Sequence, residues 1–242
     1  MISSLKCVAI CCVIIFVNIT RLFAAPKTHL KIHNKHYINI PEPSDVCLAA
    51  NKSSLFIVSD QGLLYQTDLQ GKVLKQSTLT GDDFEAVYAD DNFVYVVDES
   101  DRKLYKVDAT TLTLSKTIDI PYKGELNEGA EGISYNTSNN HFYIVTEKNP
   151  ILIREFDVNF NLISETKFKD ASDVSSMQFY NNQLYFLSDE DHCILKLDDT
   201  YKVIQKWNFN IPNPEGFCFD KDGNIIILSD EMEAIFFINK PE

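Results

Sequence analysis

With 242 residues, 45% of them hydrophobic, the chain is long enough for a single all-β domain around a sizeable packed interior. Its formal net charge of −13 excludes the basic footprint that nucleic-acid binders need. An acidic surface of this size suits cations, cationic partners or plain solubility.

The N-terminus reads as a secretory signal: Lys6, an apolar stretch from Cys7 to Ile19, then Leu22-Phe23-Ala24-Ala25 with small residues for cleavage. The apolar stretch is too short to cross a bilayer alone. Residues 1–25 are therefore expected to be removed on export to the periplasm or beyond. The alternative is an uncleaved anchor in the inner membrane, facing the periplasm, with Arg21 at the interface and Leu22 to Ala25 lengthening the segment. Cleavage removes Lys6 and Arg21 and no acid, which leaves the mature charge at −15.

The rest, residues 30–242, reads as one domain built on a repeat. KHYINI (35–40) is a strand standing alone. Five hairpins follow. Their first strands are VCLAA (46–50), AVYAD (86–90), GISYN (132–136), SSMQFY (175–180) and GFCFD (216–220). Their second strands are SLFIVSD (54–60), FVYVVDE (93–99), HFYIVTE (141–147), QLYFLSD (183–189) and NIIILSD (224–230). Asn, Asp, Ser and Gly fill the turns between them. A third strand follows each hairpin and ends near Asp68, Asp108, Asp157, Asp198 or Asn239, residues that read as local turn caps. A fourth strand follows in four units only. The lone N-terminal strand supplies what the fifth lacks. Four short strands per unit at this period predict an all-β, five-bladed β-propeller whose last blade is closed by an N-terminal strand. A two-sheet sandwich accommodates many short strands, but not a period repeated five times with a displaced strand at each end.

Beyond the signal, Cys47, Cys193 and Cys218 are too few, and odd in number, for a disulfide framework, so buried free thiols are expected. Strand alternation points Cys47 and Cys218 to opposite faces, although their blades adjoin. His29, His33, His36, His141 and His192 form no metal-ligand spacing.

The chemistry lies in acids that recur with the repeat. One opens the first strand of each unit and another closes the second: Asp45 with Asp60, Glu85 with Asp98, Glu131 with Glu147, Asp173 with Asp189, and Glu215 with Asp230. Each pair is centred on its hairpin turn, which predicts that its members lie side by side. First strands line a propeller's channel, so all five pairs converge on one mouth. Two carboxylates 4–5 Å apart repel by about 3–4 kcal/mol at an effective dielectric near 20. Such a ring either holds protons, with raised pKa values, or holds a cation. Oxygen-only donors suit a hard ion, and a roomy ring suits Ca²⁺. The ten acids are thus the expected metal-binding residues. Asp82, Asp83, Glu125 and Glu128 fall on the same face, and the residues after the second acids are Gln61, Glu99, Lys148, Glu190 and Glu231, a series in which Lys148 stands as an internal counter-charge. The bland reading is a solvated ring of loop-end acids inherited by duplication.

Asn127-Glu128-Gly129-Ala130-Glu131-Gly132-Ile133, His141 to Glu147, Asp170 to Ser176 with Leu184 to Glu190, and Asn213-Pro214-Glu215-Gly216-Phe217 with Leu228-Ser229-Asp230-Glu231 resemble the SdiA-regulated family of bacterial proteins. The resemblance covers the domain from about residue 30 onward. It implies a five-bladed propeller with a calcium site, a Gram-negative source and an exported or membrane-anchored location, and it implies no established activity. Its Glu-Gly acids fall on Glu131 and Glu215. Asp45-Val46, Glu85-Ala86 and Asp173-Val174 depart from that pattern.

Two functions compete. One is a calcium-bound scaffold or binding module presenting a face to an unidentified protein or envelope component. The other is a calcium-dependent hydrolase, lactonase-like or phosphotriesterase-like, with Asn127, Asn210 and Asn213 available near the ion. No activated nucleophile stands out, so the scaffold is favoured and no catalytic residue is assigned.

Overall fold

The computed structural model describes residues 27–121 and 129–240, and every regular element in them is a strand. The signal segment, Glu125, Asn127 and Glu128 lie outside the described residues. The chain enters through β1 (Lys27–His29) and β2 (Ile32–Tyr37). Blade one is β3 (Pro43–Leu48), β4 (Ser54–Ser59), β5 (Leu63–Asp68) and β6 (Val73–Thr80). Blade two is β7 (Phe84–Ala89), β8 (Phe93–Asp98), β9 (Lys103–Asp108) and β10 (Leu114–Asp119). Blade three is β11 (Ala130–Asn136), β12 (His141–Thr146), β13 (Leu152–Phe156) and β14 (Leu162–Lys167). Blade four is β15 (Ser176–Tyr180), β16 (Gln183–Ser188), β17 (Cys193–Leu197) and β18 (Val203–Asn208). Blade five has β19 (Pro214–Phe219), β20 (Ile225–Ser229) and β21 (Ala234–Ile238).

The fourth strand of blade five is β2, paired antiparallel with β21. The ring closes as the sequence predicts, but the strand lies earlier than KHYINI. Ile38 and Ile40 are spent on packing instead: both are buried between blades five and one, among Val46, Ile57 and Leu228. β1 adds a fifth strand, parallel, to the outer edge of blade four, an element the hydrophobic pattern did not reveal.

Each second strand is a near-continuous β-branched and aromatic run because both of its faces are covered. Outer strands such as β10 and β14 are mostly exposed and polar. Five apolar clusters fill the five gaps between neighbouring blades. Phe84, Phe186 and Phe217 are wholly buried in three of them, each stabilising by roughly 1.5–3 kcal/mol. The inner strands β3, β7, β11, β15 and β19 touch in that order and return to β3. Cys47, Cys193 and Cys218 are free and buried. Asp68, Asp108, Asp157 and Asp198 cap their own turns by accepting backbone N–H groups two to four residues on.

Candidate metal centre

Four of the five inner strands open with a β-bulge. The breaks fall between Pro43 and Asp45, Phe84 and Ala86, Ala130 and Gly132, and Pro214 and Gly216. The residues left without a cross-strand partner are Ser44, Glu85, Glu131 and Glu215. A bulge frees its extra residue from the ladder and re-aims the side chain. Blade four has no break, and Ser175, just before Ser176↔Leu187, occupies the matching position. The inner arc is therefore Ser44, Glu85, Glu131, Ser175 and Glu215.

The outer arc follows the last residue of each second strand: Asp60, Glu99, Glu147, Asp189 and Asp230. In four blades its backbone N–H donates to a carbonyl just ahead of the inner strand, of Glu42, Asp83, Gly129 or Asn213. The two arcs enclose a basin of about 340 Å³. Eight of the ten expected acids line it: Asp60, Glu85, Glu131, Glu147, Asp173, Asp189, Glu215 and Asp230. Asp83, Glu99 and Glu190 join them, with Lys148 and Ser175. Among the described residues, eleven carboxylates thus face a single ammonium.

Two expected residues sit elsewhere, each by one residue of register. Asp45 pairs with Val58, so it matches Ala86, Gly132 and Gly216 rather than the bulged acids, and a one-residue slip turns a side chain to the other face. It is fully buried. Its Oδ2 accepts the Val87 N–H of blade two at 2.9 Å, and its Oδ1 accepts the Ser176 hydroxyl of blade four at 2.8 Å. Blades one and four are not neighbours, so this carboxyl crosses the central channel and plugs it. The approach needs glycine opposite: a Cβ on Gly216 would lie 2.7 Å from the Asp45 Cα. Asp98 is the last residue of β8, paired with Phe84. It caps its own loop by accepting the Asp82 and Asp101 N–H groups at 3.0 Å. Glu99 takes the place in the basin expected of Asp98. The direct side-by-side pairing of acids is also corrected, because the bulge puts the first acid of blades two, three and five out of register with any partner.

The lining acids are held unequally. Asp173 accepts Ser188 Oγ at 2.5 Å and the N–H groups of Asp189 and Glu190 at 3.0 and 3.2 Å. Asp60 accepts the Ser44 hydroxyl, and Glu99 the Gly129 N–H. Lys148 pairs with Glu147 at 2.6 Å and Glu190 at 3.5 Å. Glu85 and Glu131 instead lie beside other carboxyls, Asp83 and Glu99. Burial, then the charges of Asp60 and Asp83, hold Glu85 well above the usual range. Burial, then Glu85, Glu99 and Glu147, does the same to Glu131. Glu215 is pushed up to about 8 by burial and then by Asp189 and Asp60. Glu99 is pushed to about 7, mainly by burial.

Carboxylate oxygens of Asp83, Glu85 and Glu99 lie within 4.8 Å of one another. Ligands of one Ca²⁺ at about 2.4 Å are separated by no more than about 4.8 Å, so the three fit a common coordination sphere. Among the described residues no thiol or imidazole lines the basin. Ser175 Oγ donates to the Pro214 carbonyl at 3.3 Å.

A closed ring of five four-stranded blades, with one mouth lined by acids, defines a five-bladed β-propeller with an acidic axial basin. The chain belongs to the SdiA-regulated family, whose profile matches residues 21–238. Among solved structures it is similar to glutaminyl cyclase of Myxococcus xanthus, with 13% identity, 89% of this chain and 98% of that one covered, and a TM-score of 0.73. It is also similar to the β-propeller domain of Cps50 (Swd1) from Myceliophteria thermophila (10% identity, 86% and 100% covered, TM-score 0.54). A third is virginiamycin B lyase from Staphylococcus aureus (14% identity, 82% and 66% covered, TM-score 0.51). At these identities the likeness is one of fold.

Proposed function

We propose that the protein is an exported calcium-binding propeller that serves as a scaffold or binding module at the bacterial envelope. The observation that carries the reading is the basin itself: eleven carboxylates and one lysine around one axis among the described residues, with Glu85, Glu131 and Glu215 raised by burial and by neighbouring charges. Asp83, Glu85 and Glu99 would hold the ion, with Glu131 and Glu215 beside them. A bound Ca²⁺ supplies there the positive charge that the protons otherwise provide. Export rests on the apolar segment Cys7–Ile19 and the small residues after it. The scaffold role rests on a ligand set that neutralises charge, in a site without an activated nucleophile. The partner expected is a protein or envelope component.

The test is thermal melting of the purified protein in EDTA and then in Ca²⁺. A rise of many degrees on adding Ca²⁺, by mass action on the folded state, is the expected result, and identical melting curves end the metal reading. A second reading has one observation in its favour: Glu131 and Glu99 form a carboxyl pair of which Glu99 titrates at about 7, as a general acid or base requires. It makes the protein a calcium-dependent hydrolase, and the structural likeness to enzymes named cyclase and lyase is in keeping with an active basin. Metal-dependent turnover of a lactone or phosphoester, lost in Glu131→Gln, would replace the scaffold with the enzyme.

A further inference from the structure

A second cleft, of about 320 Å³, opens between blades four and five. Tyr180, Asn181, Phe219 and Gly223 lie at the ends of the inner strands away from the acids, so the cleft is on the opposite face and shares no residue with the basin. Register builds its wall. Tyr185 pairs with Lys196, and Lys196 with Gln205, so these side chains form one rung across blade four. Trp207 stands two residues beyond Gln205 and therefore on the same face.

The chemistry of the lining is the reverse of the basin's. Tyr180 stacks on Phe219 at 4.2 Å and 17°, and Tyr185 on Trp207 at 6.0 Å and 22°. Lys196 and Lys240 supply two ammonium groups. Among the described residues no carboxylate lines the cleft, in a chain with 35 acidic residues. Trp207 is only 7% exposed, and its indole N–H is buried with no acceptor among the described residues. An aromatic cleft with two cations asks for a flat ligand bearing anionic oxygens. A volume near 300 Å³ is at the small end of ligand sites.

We propose that this cleft binds a small planar aromatic carboxylate. Its ring lies against the Tyr180, Phe219, Tyr185 and Trp207 wall, and its carboxylate is drawn by Lys196 and Lys240. The proposal is independent of the calcium reading.

Trp207 is the chain's single tryptophan, so intrinsic fluorescence reports on this cleft directly. Purified protein is titrated with benzoate, 4-hydroxybenzoate, neutral benzamide and cationic benzylamine at constant ionic strength, and calorimetry checks each isotherm. Saturable binding of the two carboxylates is expected, with benzamide at least about tenfold weaker, the equivalent of one charge-assisted hydrogen bond. Benzylamine should not saturate. Lys196→Gln should weaken 4-hydroxybenzoate about tenfold, and Lys240→Gln, at an exposed position, by less. The second variant keeps the test valid if the first fails to fold. Equal affinity for benzoate and benzylamine, saturation by no carboxylate, or unchanged affinity in both lysine variants would overturn the assignment.

Discussion

Blades two, three and five differ from blades one and four at a single backbone position. The former carry glutamate at the bulge: Glu85, Glu131 and Glu215. The latter carry serine: Ser44, and Ser175 at the matching unbulged place. A glutamate there leaves a half-buried carboxyl that forms no ion pair with a cation among the described residues. A serine there donates locally, Ser44 to Asp60 and Ser175 to the Pro214 carbonyl. The ring is therefore lopsided, with unneutralised acid concentrated where blades two and three meet and hydrogen-bonded closure at blades one and four. Blade one adds Asp45, which reaches across the axis below.

That division separates residues that hold the ring from residues that would hold an ion. The largest expected effect is on the holding side. Asp45→Ala removes the acceptor of Val87 N–H and Ser176 Oγ and leaves a void on the axis, which should destabilise by about 3 kcal/mol. For a domain of this size that is a fall in Tm of roughly 6–12 °C. Asp45→Asn should lose far less, because burial holds the native carboxyl well above its usual range and the amide keeps an acceptor oxygen. Calcium affinity should be nearly unchanged in both variants, and a large loss of affinity in Asp45→Asn would erase the division. On the other side, Glu131→Gln should weaken Ca²⁺ binding by about tenfold or more, while Tm in EDTA holds or rises as a repelled acid is removed.

The next effect is a pH dependence of the metal-free protein. Glu215 is raised from 4.5 to about 8 and Glu99 from 4.5 to about 7. Between those limits the folded state binds more protons than the unfolded chain, so stability falls as pH rises from about 4.5 through about 8. The melting temperature in EDTA should decline across this window, and saturating Ca²⁺ should flatten or reverse the decline. A Tm in EDTA that climbs from pH 5 to 8 would mean that the folded basin binds fewer protons than the unfolded chain, and would end the reading of raised acids.

The fold was legible because each blade repeats a pattern fixed by burial: a two-faced apolar second strand, an Asn- or Gly-bearing turn and a half-polar edge. Most of the basin was legible for the same reason, since acids such as Glu131, Glu147 and Asp230 mark the same point in successive repeats. Asp45 and Asp98 were misplaced by a quantity that spacing does not carry. Hairpin arithmetic assumes an unbroken ladder, and one extra residue between Pro43 and Asp45, or between Phe84 and Ala86, moves the true equivalents to Ser44 and Glu99. Gly132 and Gly216 after their acids hinted at the break, because glycine is common where a strand bulges and another chain comes close, but Val46 and Ala86 hide it in blades one and two. β1 escaped notice because a three-residue parallel edge strand has no periodicity of its own.

The smallest effect tests the comparison from the other direction. Ser175→Glu gives blade four the residue that blades two, three and five already have. It removes one weak hydrogen bond, to the Pro214 carbonyl at 3.3 Å, and adds a carboxyl to a basin that already holds eleven. If the bulge position selects between closure and ion binding, the substitution should have opposite signs in two buffers. In EDTA at neutral pH the added acid meets repulsion and desolvation, and Tm should fall by a few degrees, about 1 kcal/mol. In saturating Ca²⁺ the loss should shrink or vanish, with affinity up by a few-fold. The same drop in both buffers would show that Ser175 matters for packing alone, and that the likeness between its position and Glu131 ends at the backbone.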